Sequence, residues 1–187
     1  MKKLLVFLAV ALPLCARDKV QLEHDLDQIA KVATVMVDGD VCQRILTPRA
    51  LQHILRKDPR DQWADGDNYD VDDQAFITTK KTLMRLAQLA NYPVDVNLWM
   101  PLDGAPGRIH VVIRNRYEMS QFWKWGDLTQ PTPPIMQKVL EFGQRVGVEQ
   151  KSGYVSVLAP VRNSLNNIVG LVEVVSEIRP NARENVK

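Results

Sequence analysis

Apolar positions recur along this chain with two periods, and the change from one to the other separates helices from strands. Residues 18–37 carry Leu22, Leu26, Ile29, Ala33 and Met36 at helical spacing, with Glu23, Asp25, Asp27 and Lys31 between them. That spacing predicts an amphipathic helix of about five turns. Asp38-Gly39-Asp40 reads as its end. Thr47-Pro48 supplies an N-cap and a first-turn proline for a short helix with Leu51, Ile54 and Leu55 inward, closed by Asp58-Pro59. A further helix from Asp73 to Asn91 turns Phe76, Leu83, Leu86, Ala87 and Ala90 to one side and leaves Lys80, Lys81 and Arg85 in water. Asp72 or Asp73 caps it, and Asn91 and Pro93 stop it.

From Val94 to Arg116 the period becomes two. Val94, Val96, Leu98, Met100 and Leu102 alternate with Asp95, Asn97 and Trp99. Beyond Asp103-Gly104-Ala105-Pro106-Gly107, Ile109, Val111 and Ile113 alternate with His110, Val112 and Arg114. A matched register puts the apolar sets on one face and gathers Asp95, Asn97, Trp99, His110 and Arg114 on the other; a one-residue slip would mix them. Thr132-Pro133 begins a helix with Ile135, Met136, Val139, Leu140 and Val146 inward and Gly147 near its end. Gly153 to Ile178 then holds two β-branched runs around Asn163-Ser164-Leu165-Asn166-Asn167, an antiparallel hairpin. Val155, Val157, Ala159 and Val161 share one face of its first strand, and Tyr154, Ser156, Leu158 and Arg162 the other. Its second strand is apolar on both faces until Glu173 and Glu177, as a central strand covered from two sides would be.

The start of the chain has another character. Lys2 and Lys3 precede an apolar run, Leu4 to Leu14, with Ala16 behind it, the pattern of a secretory signal peptide. The run is short of the about 20 residues that span a bilayer. Cleavage is expected after Ala16. Cys15 raises lipidation, but Pro13 and Leu14 before it fit a lipobox poorly. Residues 17–180 are then one domain and 181–187 a polar tail. Without residues 1–16, 22 basic side chains balance 22 acidic ones. A neutral surface holds no phosphate stripe, which argues against nucleic acid as a partner. Cys42 alone makes no internal disulfide, and reads as a buried thiol.

Catalytic signatures are missing: there is no G-x-S-x-G elbow, H-E-x-x-H, phosphate-binding glycine loop or cysteine pair at metal spacing. His24, His53 and His110 lie far apart in sequence and read as surface residues. No C-x-x-C-H is present, which excludes a covalently held haem, and no cofactor is expected. The acidic stretch Asp61 to Asp73 spaces Asp65, Asp67 and Asp73 in the manner of a calcium loop. Tyr69, Asp70 and Phe76 stand where such a loop needs other residues, so a solvated loop is expected.

The order of an apolar strand, Ala159-Pro160-Val161-Arg162, a polar turn and Ile168-Val169-Gly170-Leu171-Val172-Glu173-Val174 resembles the last two strands of PAS-like sensor domains, above all the extracytoplasmic Cache type. GAF domains share a similar closing pair. The resemblance implies an α+β fold: an antiparallel sheet of about five strands, a long N-terminal helix, and helices on the sheet face. It also implies a non-covalent ligand between the sheet and its covering segments. Carried over, Asn97, Trp99, His110 and Arg114 line the inner face, and Trp123 and Trp125 lie in the cover. These groups suit a small anionic or aromatic molecule, since an arginine fork grips a carboxylate and indoles give flat apolar walls. The other possibility is that Trp99, Phe122, Trp123 and Trp125 fill a core while Arg114 meets solvent. Arg116-Tyr117 ahead of Phe122-Trp123 is similar, at a different spacing, to the arginine, tryptophan and tyrosine set of amino-acid-binding Cache domains. The implied function is an exported, periplasmic or secreted sensor that signals by population shift to a separate protein, or to a second copy through the N-terminal helix. The rivals are a structural or dimerisation module without a ligand, and a metal-dependent enzyme using the Asp61 to Asp73 loop.

Overall fold

The computed structural model of the protein describes residues 19–55, 72–123 and 127–178. The leader, the Asp58-Pro59 stop, residues 61–71 of the acidic stretch, Trp125 and the polar tail lie outside the described residues. In chain order the elements are α1 (Lys19–Met36), α2 (Gly39–Ile45), α3 (Pro48–Leu55), α4 (Asp73–Ala87), β1 (Asp95–Pro101), β2 (Arg108–Ile113), β3 (Thr129–Pro131), α5 (Pro134–Phe142), β4 (Val146–Val148), β5 (Tyr154–Arg162) and β6 (Ile168–Glu177). The strands form one antiparallel sheet in the order β3-β2-β1-β6-β5-β4, so the class is α+β.

Two apolar cores form, one on each face of the sheet. Leu22, Leu26, Ile29, Ala30 and Ala33 of α1 meet Val155, Val157, Ala159, Val161, Val172 and Val174, and Leu83 and Leu86 of α4 close the same core over β1. The helical period of α1 and the strand period of β5 therefore point at each other, as the alternation predicts. Met36 is an exception, 58% exposed because α1 ends there. The second core lies on the opposite face, where Met136 and Val139 of α5 cover Trp99, Ile109, Val111, Leu158 and Leu171.

Four local departures from the sequence pattern have physical causes. Asp38-Gly39-Asp40 ends α1 but also starts α2, because the Asp38 carboxylate accepts from Asp40 N at 2.9 Å and Val41 N at 3.2 Å. An Asp38→Ala variant is expected to lose about 1 kcal/mol in urea unfolding, with Asp38→Asn close to wild type. In α3, Thr47 Oγ1 does cap Ala50 N, yet Ala50 is the buried residue and Leu55 is 38% exposed. Lys80 of α4 is half-buried, its ammonium donating to the Arg114 carbonyl. Finally, α5 stops at Phe142, not near Gly147, since Gly143 takes φ 67° and donates its N–H to Val139 O. Residues 146–148 then pair with β5 as an edge strand.

The first hairpin also corrects the matched register. Trp99 lies opposite Val111 and Met100 opposite His110, while Leu98 lies opposite Ile113, so a bulge intervenes. The bulge inserts Val112, and Val112 and Ile113 both enter the α1-side core. The alternation of β2 is thus reversed across it. His110 shares the face of Met100, away from Trp99.

Candidate functional site

Asp95, Asn97 and Trp99 fall on one face of β1 by its period of two, and the register places Asn97 opposite Glu173 and Trp99 opposite Leu171 on β6. This is the face away from α1. Residues 115–123, leaving β2, cross it as a strap, and the sheet's polar side chains hold the strap by its backbone. Asn97 Oδ1 accepts from Asn115 N at 3.2 Å, and Asn97 Nδ2 donates to Met119 O at 2.7 Å. The Asp95 carboxylate accepts from Tyr117 N at 3.1 Å and Met119 N at 2.8 Å. Between those two amides Glu118 takes φ 53°, a left-handed conformation rare outside glycine.

Glu173 is the centre of the arrangement. Its carboxylate is fully buried and accepts from Trp99 Nε1 at 3.1 Å, Ser120 Oγ at 2.6 Å, Gln121 N at 2.7 Å and Ser156 Oγ at 3.2 Å. Four donors match the lone-pair capacity of a carboxylate. Burial pushes its pKa up from the ordinary glutamate value, against the pull of those bonds, and no cation contributes. Asp95 is shifted upward for the same first reason, opposed by the Met119 and Tyr117 amides and by the Lys80 charge. Gln121 fastens the far end of the strap. Its Nε2 donates to Tyr154 O at 2.8 Å and its Oε1 accepts from Lys151 N at 2.6 Å and Gln150 N at 3.1 Å.

The residues expected to meet a ligand are therefore divided. Asn97, Trp99, Arg114 and Trp123 come together on this face. Asn97 and Trp99 are both fully buried, and Trp99 packs edge-on to Phe122 with ring centroids 6.1 Å apart. The Arg114 guanidinium lies 5.3 Å from the Trp123 ring and 3.8 Å from Glu118, so its fork is turned to its own chain. His110 does not join them. It is buried on the other face with Nδ1 2.7 Å from Thr129 Oγ1, and burial lowers its pKa to about 4, so it is neither a surface residue nor charged near neutrality.

Asp95 stands on the face that the alternation predicts, though not among the expected ligand residues, while Ser120, Gln121 and Glu173 escaped the sequence reading as site residues. Of those three Glu173 left a signal, an acid set inside an otherwise apolar central strand.

Among the described residues two concavities open elsewhere. One, of about 350 Å³, lies between the end of α4 and the start of the strap. The other, of about 530 Å³, runs along α1 beside residues 89–92. None of the expected ligand residues among the described ones lines either. Cys42 is buried with its thiol pushed up to about 12, which leaves it unreactive. Among the described residues no helix is long and apolar enough to cross a membrane. No protein-family model matches the chain, and no curated protein matches it.

Proposed function

We propose that the protein is an exported small-molecule sensor module of the PAS/Cache-like kind, in which the 115–123 strap is the moving cover of the ligand face. Export rests on the leader pattern of residues 1–16. One observation carries the reading: the strap is tied to the sheet by separate bonds from Asp95, Asn97 and Glu173, with no β-pairing. Bonds of that kind are exchanged one for one with a ligand's polar groups or with water, whereas a paired strand must be peeled away whole. Glu173 adds a motive, because a desolvated carboxylate without a cation is costly in a core and is a mark of functional sites. A ligand that enters beneath the strap meets the Trp99 and Trp123 rings and the Asn97 amide. The resulting shift between closed and open strap is the signal a partner reads.

Thermal unfolding of the purified protein against a metabolite library tests this. A ligand present at 100 times its Kd adds about 2.7 kcal/mol. The expected hit is a compound whose stabilisation disappears in Trp99→Phe or Asn97→Ala while those variants stay folded. A library without any hit would contradict the reading.

A structural or dimerisation module is the second reading, and it has its own observation. The Glu173 carboxylate is saturated and Trp99 has no exposed surface. Val32, Val35 and Met36 of α1 remain exposed for a second copy. That reading predicts no hit and a concentration-dependent mass in sedimentation, lost in Val35→Glu.

A further inference from the structure

The outer side of α4 is neither plainly polar nor plainly apolar. Ala75, Leu83 and Leu86 face the core, and Thr79 is buried beside them. On the opposite side Ile77, Lys81, Met84 and Arg85 follow one another at helical spacing, and all four are exposed. Ile77 keeps 45% of its surface in water and Met84 44%. The start of the strap continues this side. Arg116 and Tyr117 line one groove with Met84, both are exposed, and the Arg116 guanidinium lies 5.5 Å from the Tyr117 ring. One exposed apolar residue is ordinary. Three of them interleaved with three cations form a patch with its own chemistry.

The neighbouring charges sharpen its sign. Lys80 is answered by Asp95 and Glu118, and Arg114 lies 3.8 Å from Glu118. Asp73 stands in the first turn of α4, one turn before Ile77. Among the described residues no carboxylate pairs with Lys81, Arg85 or Arg116. Such a patch fits an anionic layer with apolar material behind it. A protein partner needs a contiguous apolar centre that excludes water, and here cations stand between the apolar side chains. A bilayer takes the interleaved arrangement: Lys and Arg heads stay with the phosphates while Ile, Met and Tyr side chains reach the acyl boundary. We propose that the outer face of α4, with Arg116 and Tyr117, docks the protein on an anionic phospholipid surface. The face is separate from the one beneath the strap, and the proposal does not depend on the sensor reading.

The test is binding of the full chain to vesicles of phosphatidylglycerol and phosphatidylcholine in equal parts. Pure phosphatidylcholine vesicles are one control, and poly-glutamate, which stands for an acidic protein, is the other. The apolar run from Leu4 to Leu14 has bilayer affinity of its own, so the readout must be local. An environment-sensitive fluorophore is placed on Gln88→Cys, on the exposed side of α4, or on Leu165→Cys in the β5–β6 turn, both with Cys15→Ser; Cys42 is buried and stays unlabelled. The expected result is a blue shift at residue 88 with the anionic vesicles, weakened by salt, and none at residue 165. Lys81→Glu with Arg85→Glu should raise the lipid concentration for half the shift more than about tenfold. Lys31→Glu with Lys138→Glu, the same change of net charge at exposed positions elsewhere, should leave it within about twofold. An equal response to phosphatidylcholine or poly-glutamate, no shift at residue 88, an equal shift at residue 165, or an undiminished response in Lys81→Glu with Arg85→Glu would each overturn the proposal.

Discussion

Glu173→Ala is expected to cost about 3–5 kcal/mol in equilibrium unfolding. The serine hydroxyls of Ser120 and Ser156 rotate to other acceptors, but the Trp99 Nε1–H and Gln121 N–H are fixed and lose the acceptor they point at. An orphaned buried donor costs about 1–3 kcal/mol, and the emptied volume adds a packing loss. Glu173→Gln separates charge from shape. The folded pKa of Glu173 lies above its ordinary value, so the native state holds a proton that the unfolded chain releases. Stability therefore falls as pH rises from the ordinary glutamate range through the folded value, and then levels off. His110 has the opposite sign. Its folded pKa is lowered to about 4, so its contribution is lost as pH falls from about 6.5 toward 4. The two slopes overlap in the wild type, which is why the difference curve is the useful quantity. Subtracting wild type from Glu173→Gln cancels His110 and Asp95, and the remainder should grow in favour of the variant as pH rises above about 4.5. Parallel curves would show that Glu173 ionises as readily in the folded protein as in the unfolded chain, so that burial does not raise its pKa.

Gly39→Ala has the second large effect, about 3 kcal/mol, and it acts far from the strap. A Cβ on Gly39 would stand 2.7 Å from Asn163 N and closer still to the Arg162 carbonyl. Both obstacles are backbone, so no rotamer change relieves them. The first turn of α2 would have to leave the β5–β6 turn, breaking the bond from Ser164 N to Asp40 at 2.8 Å and that from Asn163 Nδ2 to Gln43 at 3.2 Å. Urea unfolding with an unchanged slope and a lowered midpoint is the expected outcome. A loss below about 0.5 kcal/mol would mean that the turn yields freely.

Gly39 also illustrates what the sequence reveals and conceals. Asp-Gly-Asp is a breaker signal, and it does break α1. That the same aspartate caps a new helix, and that the glycine is there to let a distant hairpin approach, are tertiary facts. Long periodic segments were legible for the reason that their burial is set by period alone. Leu22, Leu26, Ile29 and Ala33, and the alternation from Val155 to Val161, all face the core they predict. The bulge at Val112 was not legible, because one inserted residue leaves the local apolar pattern intact while reversing the faces beyond it. The same error sent His110 to the wrong side. Asn97, Trp99 and Arg114 were rightly placed together, but their partners are amides and rings of residues 115–123, a segment whose sequence gives no sign of where it crosses.

Native-state hydrogen exchange is the most direct test of the strap as a discrete cover. The Tyr117, Met119 and Gln121 amides, each bonded to a sheet side chain, should exchange together through an opening of lower free energy and weaker urea dependence than the amides of Val157, Val172 and Val174. If they exchange only with those strand amides, at the same free energy and urea slope, the strap is an inseparable part of the core and does not serve as a cover.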